Sequence, residues 1–176
     1  MNPDSPEWFA RYTRAVAQCL GDRVKKWFTF NEPQCFVGIG WQDTVHAPGI
    51  SVPDWVLLCM MHNILKAHGR SVQELRAAVP DAQIGFAPTC GAHYPATDSP
   101  EDIEAARQAI FDVHDNWCWS ASVWSDSVFF GQYPQKLMDR FGKDFPQIAP
   151  GDMELISQPL DFYGQNIYNG RAVKSD

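Results

Sequence analysis

The tripeptide Asn31-Glu32-Pro33 follows an apolar run, WFTF, and puts an amide and a carboxylate side by side where that run ends. The residue before a proline is pushed into an extended conformation, so the Glu32 side chain should leave the backbone in a fixed direction. In a strand Asn31 would point the opposite way, unless a bulge intervenes. Such a pair could transfer a proton from Glu32 while Asn31 grips a substrate hydroxyl. The alternative is a surface glutamate at a strand end, the commoner outcome for an isolated tripeptide of this kind.

Helices and strands must alternate around this tripeptide to hold it in place. Apolar residues at helical spacing predict helices, and β-branched and aromatic runs predict strands. The predicted helices lie at 4–22, 51–79 and 98–117, with shorter helical stretches within 118–142 and 150–159. The predicted strands lie at 24–33, 82–89 and 160–170. Residues 34–53 read as a long loop rich in Gly, Pro and aromatic residues, a type that is usually functional.

Helix ends and faces can also be predicted. Ser5 and Ser99 each precede a proline and are expected to cap the first and third helices. The predicted buried face of the first helix consists of Phe9, Tyr12, Val16 and Leu20.

Strands that alternate with helices favour an α/β fold with a parallel sheet. Each predicted strand is apolar early and polar at its carboxyl end, with Asn31 and Glu32, then Thr89, then Asn166 and Tyr168. In a (β/α)8 barrel the carboxyl ends of the strands carry the active site. We therefore expect these side chains to form a site at one edge of the sheet.

Composition excludes several classes of function. The 176 residues carry a net charge of −7 and no Lys/Arg run, which argues against nucleic-acid binding. No apolar run is long enough for a transmembrane helix, and the acidic start is unlike a signal peptide, so no membrane partner is expected. Five scattered cysteines without a CxxC pair predict reduced thiols in a cytoplasmic protein. His62 and His68 lack the spacing of a shared metal site, and neither a metal nor a cofactor is expected.

Seven segments occur in a fixed order along nearly the whole chain: WFTFNEPQCFVGIGW, HAPG, HNILKAHG, IGFAPT, SPEDIEAAR, VFFGQYP and MELISQPLDFYGQNIY. In this order the sequence resembles the family-1 glycoside hydrolases, which are β-glucosidases, β-galactosidases and 6-phospho-β-glycosidases, and most of all the bacterial β-glucosidases. The resemblance implies a (β/α)8 TIM barrel. Residues 1–176 would form the central part of one such catalytic domain, from about the third helix to the sixth strand, with about three parallel strands.

The resemblance assigns roles to individual residues. Glu32 matches the general acid/base of the family, and Asn31 matches the asparagine that contacts the sugar 2-hydroxyl. Asn166 and Tyr168 match a strand-6 Asn-Tyr-Tyr motif, whose second tyrosine binds the nucleophile. Ile167 departs from that motif, which puts the local packing in doubt more than the chemistry.

Two further residues are expected to bind substrate, although each has an alternative structural role. Gln34 follows Asn-Glu-Pro, where the family often places a residue that lines the outer sugar subsite, although a structural role is equally compatible. Trp124 lies in the region that rims the cleft in the family and could stack on a sugar, although packing is the commoner fate of such aromatic residues.

Retaining hydrolysis needs two carboxylates about 5–5.5 Å apart, an acid and a nucleophile. The family nucleophile lies in an Ile/Val-Thr-Glu-Asn-Gly motif, which this sequence lacks. Asp161 would lie at the wrong end of its strand, and Asp98, Glu101 and Asp102 belong to a helix start, where capping is expected. The chain is therefore expected to supply the acid/base but not the nucleophile.

The expected parent function is retaining hydrolysis of terminal β-D-glucosyl residues, with a β-glucoside or an oligosaccharide as substrate and little turnover by these residues alone. One alternative is a non-catalytic or split-enzyme fragment that self-associates or needs a complementing segment, because a sheet of three strands leaves two open edges. Another is a different (β/α)8 glycosidase that also ends a strand in Asn-Glu-Pro, which the segment LISQPLDFYGQN disfavours.

Overall fold

The computed structural model describes residues 2–176. Its α-helices are α1 (Ser5–Leu20), α2 (Asp54–Ala78), α3 (Pro100–Phe111), α4 (Ala121–Phe130), α5 (Gln135–Phe141) and α6 (Asp152–Ile156). Its strands are β1 (Lys26–Asn31), β2 (Gln83–Ala87), β3 (Ala92–Pro95), β4 (Phe162–Tyr163) and β5 (Gly170–Val173). A π-helix (Cys35–Gln42) and two short 3-10 helices (Trp117–Trp119 and Gly142–Asp144) complete the regular structure of these residues.

The main sheet is parallel, as the alternating pattern predicts. Its strand order is β1-β2-β4, and each neighbouring pair is parallel. The long helix α2 connects β1 to β2, and the segment from α3 to α6 connects β2 to β4. All three strands therefore present their carboxyl ends at one edge. Asp161 lies at the opposite edge, as predicted, where it accepts hydrogen bonds from the Ile84 N–H and from Arg76.

Helix α1 packs on α2 through small residues. The buried side chains of α1 are those of Pro6, Ala10, Thr13 and Ala17. The predicted buried face is wrong for Tyr12 and Leu20, which are exposed. Small side chains let the two helices approach closely enough for the Thr13 and Ser71 hydroxyls to hydrogen-bond at 3.0 Å.

The two predicted helix caps have different outcomes. Ser99 caps α3, because its Oγ accepts a hydrogen bond from the backbone N–H of Asp102 at 3.2 Å. The prediction for Ser5 is wrong: Asp4 occupies the cap position of α1 and makes no side-chain capping bond.

Two features of the fold differ from the sequence expectation. The predicted loop 34–53 begins as the π-helix Cys35–Gln42, whose residues Val37, Gly38 and Gly40 are buried. The last predicted strand is shorter than expected, and the chain after it forms β5, which pairs in parallel with β3 in a separate two-stranded sheet.

The main core lies between the sheet and the helices that cover it. Its largest fully buried members are Trp117, Trp124, Phe86, Leu57, Leu58, Met61, Leu65, Leu137 and Ile156. Among residues 2–176, no helix is both long and apolar enough to cross a membrane. The five cysteines are all free.

Candidate active site

The candidate site lies where β1, β2 and β4 end. Glu32 follows β1 directly, Thr89 lies two residues beyond β2, and Asn166 lies three residues beyond β4. A parallel bridge between Thr89 and Asn166 extends the sheet past its regular strands and holds those ends together. The polar residues that close the three predicted strands therefore meet at one edge.

The Glu32 backbone adopts an unusual conformation. Its φ angle is +46°, in the left-handed region that non-glycine residues rarely occupy. The register of β1 with β2 shifts between Phe28 and Asn31, and the Glu32 N–H donates to the Ala87 carbonyl at 2.7 Å. The prediction of an extended Glu32 is therefore wrong, because a bulge turns the chain at this point. Strain of this kind is common at functional sites.

Three side chains donate hydrogen bonds to the Glu32 carboxylate. Asn166 Nδ2 and the Tyr168 hydroxyl donate to Oε1 at 2.8 and 3.0 Å, and Cys35 Sγ donates to Oε2 at 3.2 Å. Asn166, then Cys35, then Tyr168 hold the pKa of Glu32 below its usual value, because each donor stabilises the carboxylate anion. With these partners alone, Glu32 is ionised at neutral pH.

Asn31 belongs to the same cluster. Its Oδ1 accepts a hydrogen bond from Asn166 Nδ2 at 2.9 Å, so Asn166 connects Asn31 with Glu32. Asn31 and Tyr168 are exposed, whereas Glu32 and Asn166 are half-buried. The polar cluster is thus open to a ligand from solvent. The resemblance assigns Tyr168 to a nucleophile, and within residues 2–176 its hydroxyl donates to Glu32 instead.

Gln34 takes the structural one of the two roles that the sequence leaves open. Its side chain is fully buried, with Nε2 donating to the Thr89 carbonyl at 3.0 Å and Oε1 accepting from the Thr89 N–H at 3.4 Å. The amide is therefore used to tie the end of β1 to the end of β2. No part of it is left to line an outer sugar subsite.

Trp124 takes the packing alternative for a similar reason. The indole is fully buried in the main core, and its Nε1–H donates to the Cys118 carbonyl at 2.8 Å. Helix α4 is buried over most of its first turns, so the face that carries Trp124 points into the protein. A sugar has no access to either side of this ring.

Cys35 is the member of the cluster that the sequence did not reveal. The turn after Pro33 brings the thiol back to the carboxylate three residues earlier. Burial, followed by the neighbouring Glu32 carboxylate, raises the pKa of Cys35 to about 12, so the thiol stays protonated and donates. The only sequence signal is a polarisable side chain one turn after Glu32, which is weak by itself.

Two other polar clusters serve the scaffold. His62 hydrogen-bonds the Tyr133 hydroxyl at 2.7 Å and Asp152 at 2.9 Å, and burial lowers its pKa despite that carboxylate. Asp102 binds Thr97 and Ser175. Over the described part of the chain, no group of three or more His, Cys, Asp or Glu residues is arranged to hold a metal ion.

This parallel βα architecture, with a hydrogen-bonded carboxylate where the strands end, is that of the active-site edge of a (β/α)8 barrel. The sequence matches the profile of Glycosyl hydrolase family 1 over residues 1–176, and the chain belongs to this family. Its structural relatives are (β/α)8 barrels, of which this chain forms a part.

Individual relatives agree with this assignment. The 1,4-beta-D-glucan glucohydrolase of Thermotoga neapolitana is 37% identical over 175 residues, which cover 99% of this chain and 40% of that protein. The virulence factor SghA from Agrobacterium tumefaciens superposes with a TM-score of 0.80 and 32% identity, over 99% of this chain and 37% of that one. The Thermotoga maritima beta-glucosidase in complex with glucoimidazole has a TM-score of 0.79 and 34% identity, over 99% and 38%. The chain thus spans about two fifths of the length of the relatives it matches.

Proposed function

We propose that this chain supplies the general acid/base, Glu32, of a retaining β-glucosidase that hydrolyses terminal β-D-glucosyl residues. The observation that carries the proposal is the Glu32 carboxylate, held by three donors at the carboxyl edge of the sheet. The relatives that this chain matches include a glucan glucohydrolase and a beta-glucosidase, which supports glucosides as the substrate class. Residues 1–176 would then be part of one catalytic domain.

In the proposed reaction Glu32 first protonates the glycosidic oxygen as the bond to the leaving group breaks. A second carboxylate, about 5–5.5 Å away on the other face of the sugar, forms a glycosyl–enzyme intermediate. Glu32 then removes a proton from the water that hydrolyses this intermediate. Asn31 is placed to bind a sugar hydroxyl, because its amide is exposed and its Oδ1 is oriented by Asn166.

The protonation state of Glu32 gives the second carboxylate a further role. Within residues 2–176 the groups that shift the pKa of Glu32 act mainly by donating hydrogen bonds, and they lower it. An acid catalyst must carry its proton before the reaction, and a neighbouring carboxylate raises the pKa of such a group. Residues 1–176 alone are therefore expected to give no measurable turnover.

A second candidate is a split-enzyme or self-associating fragment. Strands β1 and β4 are the outer strands of the three-stranded sheet, and each carries an exposed aromatic residue, Phe28 and Tyr163 respectively. Open strand edges with apolar side chains favour pairing with another segment. A complementing segment or a second copy of the chain would be the partner.

A chimera tests the proposal. Residues 1–176 replace the matching two fifths of the Thermotoga neapolitana glucohydrolase, and the product is assayed on an aryl β-glucoside. The chain alone, and the chain mixed with the separately expressed remainder of the relative, are assayed in parallel. A control chimera carries Glu101→Gln, which changes an exposed glutamate in the first turn of α3.

The chimera is expected to be active, and its turnover should be slowed strongly by Glu32→Gln but not by Glu101→Gln. A chimera that folds but cleaves no glucoside would refute the proposal. Turnover on simple mixing would favour the split-enzyme candidate, and turnover by the chain alone would contradict the requirement for a second carboxylate.

A further inference from the structure

A cavity lies beside the candidate site. It has a volume of about 500 Å³ and lies between the β3–β5 sheet and the end of α3. Its apolar lining is provided by Ala109, Ile110, Trp119 and Val173. Cavities of this size commonly bind small molecules. Cys90 lines it as well, and the Cys90 N–H donates to the Asn166 carbonyl at 3.2 Å, which connects the cavity to the Glu32 cluster.

Basic side chains converge on this cavity. His93 on β3 and Arg171 on β5 are directly paired across the two strands, so both lie on the same face. Lys174 follows β5, and His114 follows α3 at the other wall. No aspartate or glutamate lines the cavity. The two fixed positive charges, Arg171 and Lys174, stand out in a chain whose net charge is −7.

The cationic groups of the cavity lack internal counter-ions. Within residues 2–176 neither Arg171 nor Lys174 forms an ion pair, whereas arginines such as Arg14 and Arg70 do. Asp112, whose pKa is lowered in part by the charge of His114, is already paired with Lys136 at 2.6 Å. The positive charge of the cavity is thus left for a ligand.

His93 adds a ring that can form a hydrogen bond with a ligand. Its Nδ1 is buried without a hydrogen-bond partner among residues 2–176. Burial, followed by the charges of Arg171 and His114, lowers the pKa of His93, so the ring is neutral near neutral pH. A buried polar atom without a partner is costly, and the ring that carries it lines the cavity.

We propose that this cavity binds a small ligand that carries an apolar ring and one anionic group, a carboxylate or a phosphate. Arg171 and Lys174 bind the anion, His93 hydrogen-bonds it, and the ring packs on Trp119 and Ile110. The site does not depend on the proposed role of Glu32, because none of these groups contacts that carboxylate.

Nitrogen-edited NMR of the chain tests the proposal with benzoate, phenyl phosphate and the neutral isostere benzamide as probes. The expected result is a saturable shift of the Gly91 and Ala172 amide signals and the Trp119 indole signal with benzoate or phenyl phosphate. Whichever of the two binds more tightly identifies the anion. The double variant Arg171→Gln/Lys174→Gln should weaken binding about ten-fold or more, since it removes charge-assisted hydrogen bonds.

The matched control is Arg11→Gln/Lys143→Gln, which makes the same change in net charge at exposed positions away from the cavity. It should leave the affinity unchanged, and Lys174→Gln alone should give an intermediate loss. Equal binding of benzamide and benzoate, equal loss in both double variants, or no shift with either anion would each overturn the proposal. Because no glycoside is cleaved in this experiment, its outcome is separate from that of the chimera.

Discussion

Replacing Gln34 with leucine distinguishes a buried bridge from a sugar-binding residue. The substitution leaves the Thr89 carbonyl without its 3.0 Å donor and the Thr89 N–H without its 3.4 Å acceptor. Each buried group without a partner costs about 1–3 kcal/mol. The loss of the longer bond, at 3.4 Å, costs an amount near the lower end of this range. Leucine has a similar volume and offsets part of the loss through apolar burial. The expected net loss in the free energy of unfolding is about 2 kcal/mol.

Urea unfolding of the chain, followed by circular dichroism, measures this loss. With a slope of about 1–3 kcal/mol per M, the midpoint should fall by about 1 M. The control is Gln18→Leu on the exposed side of α1, which should change stability by less than about 0.5 kcal/mol. A Gln34→Leu variant as stable as the parent would refute the bridge.

Further predictions concern Trp124, Asp102 and Glu32. Trp124→Ala should lower the free energy of unfolding by about 3–5 kcal/mol in the same assay, whereas an indole at the rim of a cleft would be replaceable at little cost. The Ser175 N–H is the first of the donors that lower the pKa of Asp102. The stabilisation from Asp102 is therefore present at neutral pH and lost as the pH falls through the folded-state pKa, and the protection of the Ser175 amide against hydrogen exchange, taken relative to its intrinsic rate at each pH, should fall there. Asn166→Ala removes the largest cause of the lowered Glu32 pKa. A carbon-13 titration of that carboxyl should then give a higher pKa, and an unchanged value would contradict the geometry.

The layout of the sheet and the position of the polar cluster could be predicted from the sequence. The alternation of helical and strand periodicities requires parallel strands, and parallel strands bring their carboxyl ends to one edge. This is why Glu32 and Asn166, which lie 134 residues apart, hydrogen-bond. The local conformation of Glu32 could not be predicted, because it follows a register shift in the pairing of β1 with β2 that the sequence does not show.

The direction of individual side chains depends on tertiary packing and was harder to predict. In α1, Tyr12 is exposed and Ala10 is buried, because close approach to α2 favours small residues over large apolar ones. Gln34 and Trp124 lie in segments that are buried on several sides, where an amide or an indole can satisfy its polar atoms internally. A sequence pattern does not distinguish such residues from those that line a cleft.

The most direct test of the account is the dependence of the chimera's rate on the leaving group, with and without Glu32→Gln. General acid catalysis contributes about 10²–10⁴-fold, and that contribution matters most for a leaving group that must be protonated. The account predicts that Glu32→Gln slows cleavage of an alkyl β-glucoside by this factor and slows formation of the glycosyl–enzyme from a dinitrophenyl β-glucoside far less. Two results would contradict it. One is an equal rate for Glu32→Gln and the parent chimera on the alkyl glucoside, and the other is an equal loss in the rate of glycosyl–enzyme formation from both substrates.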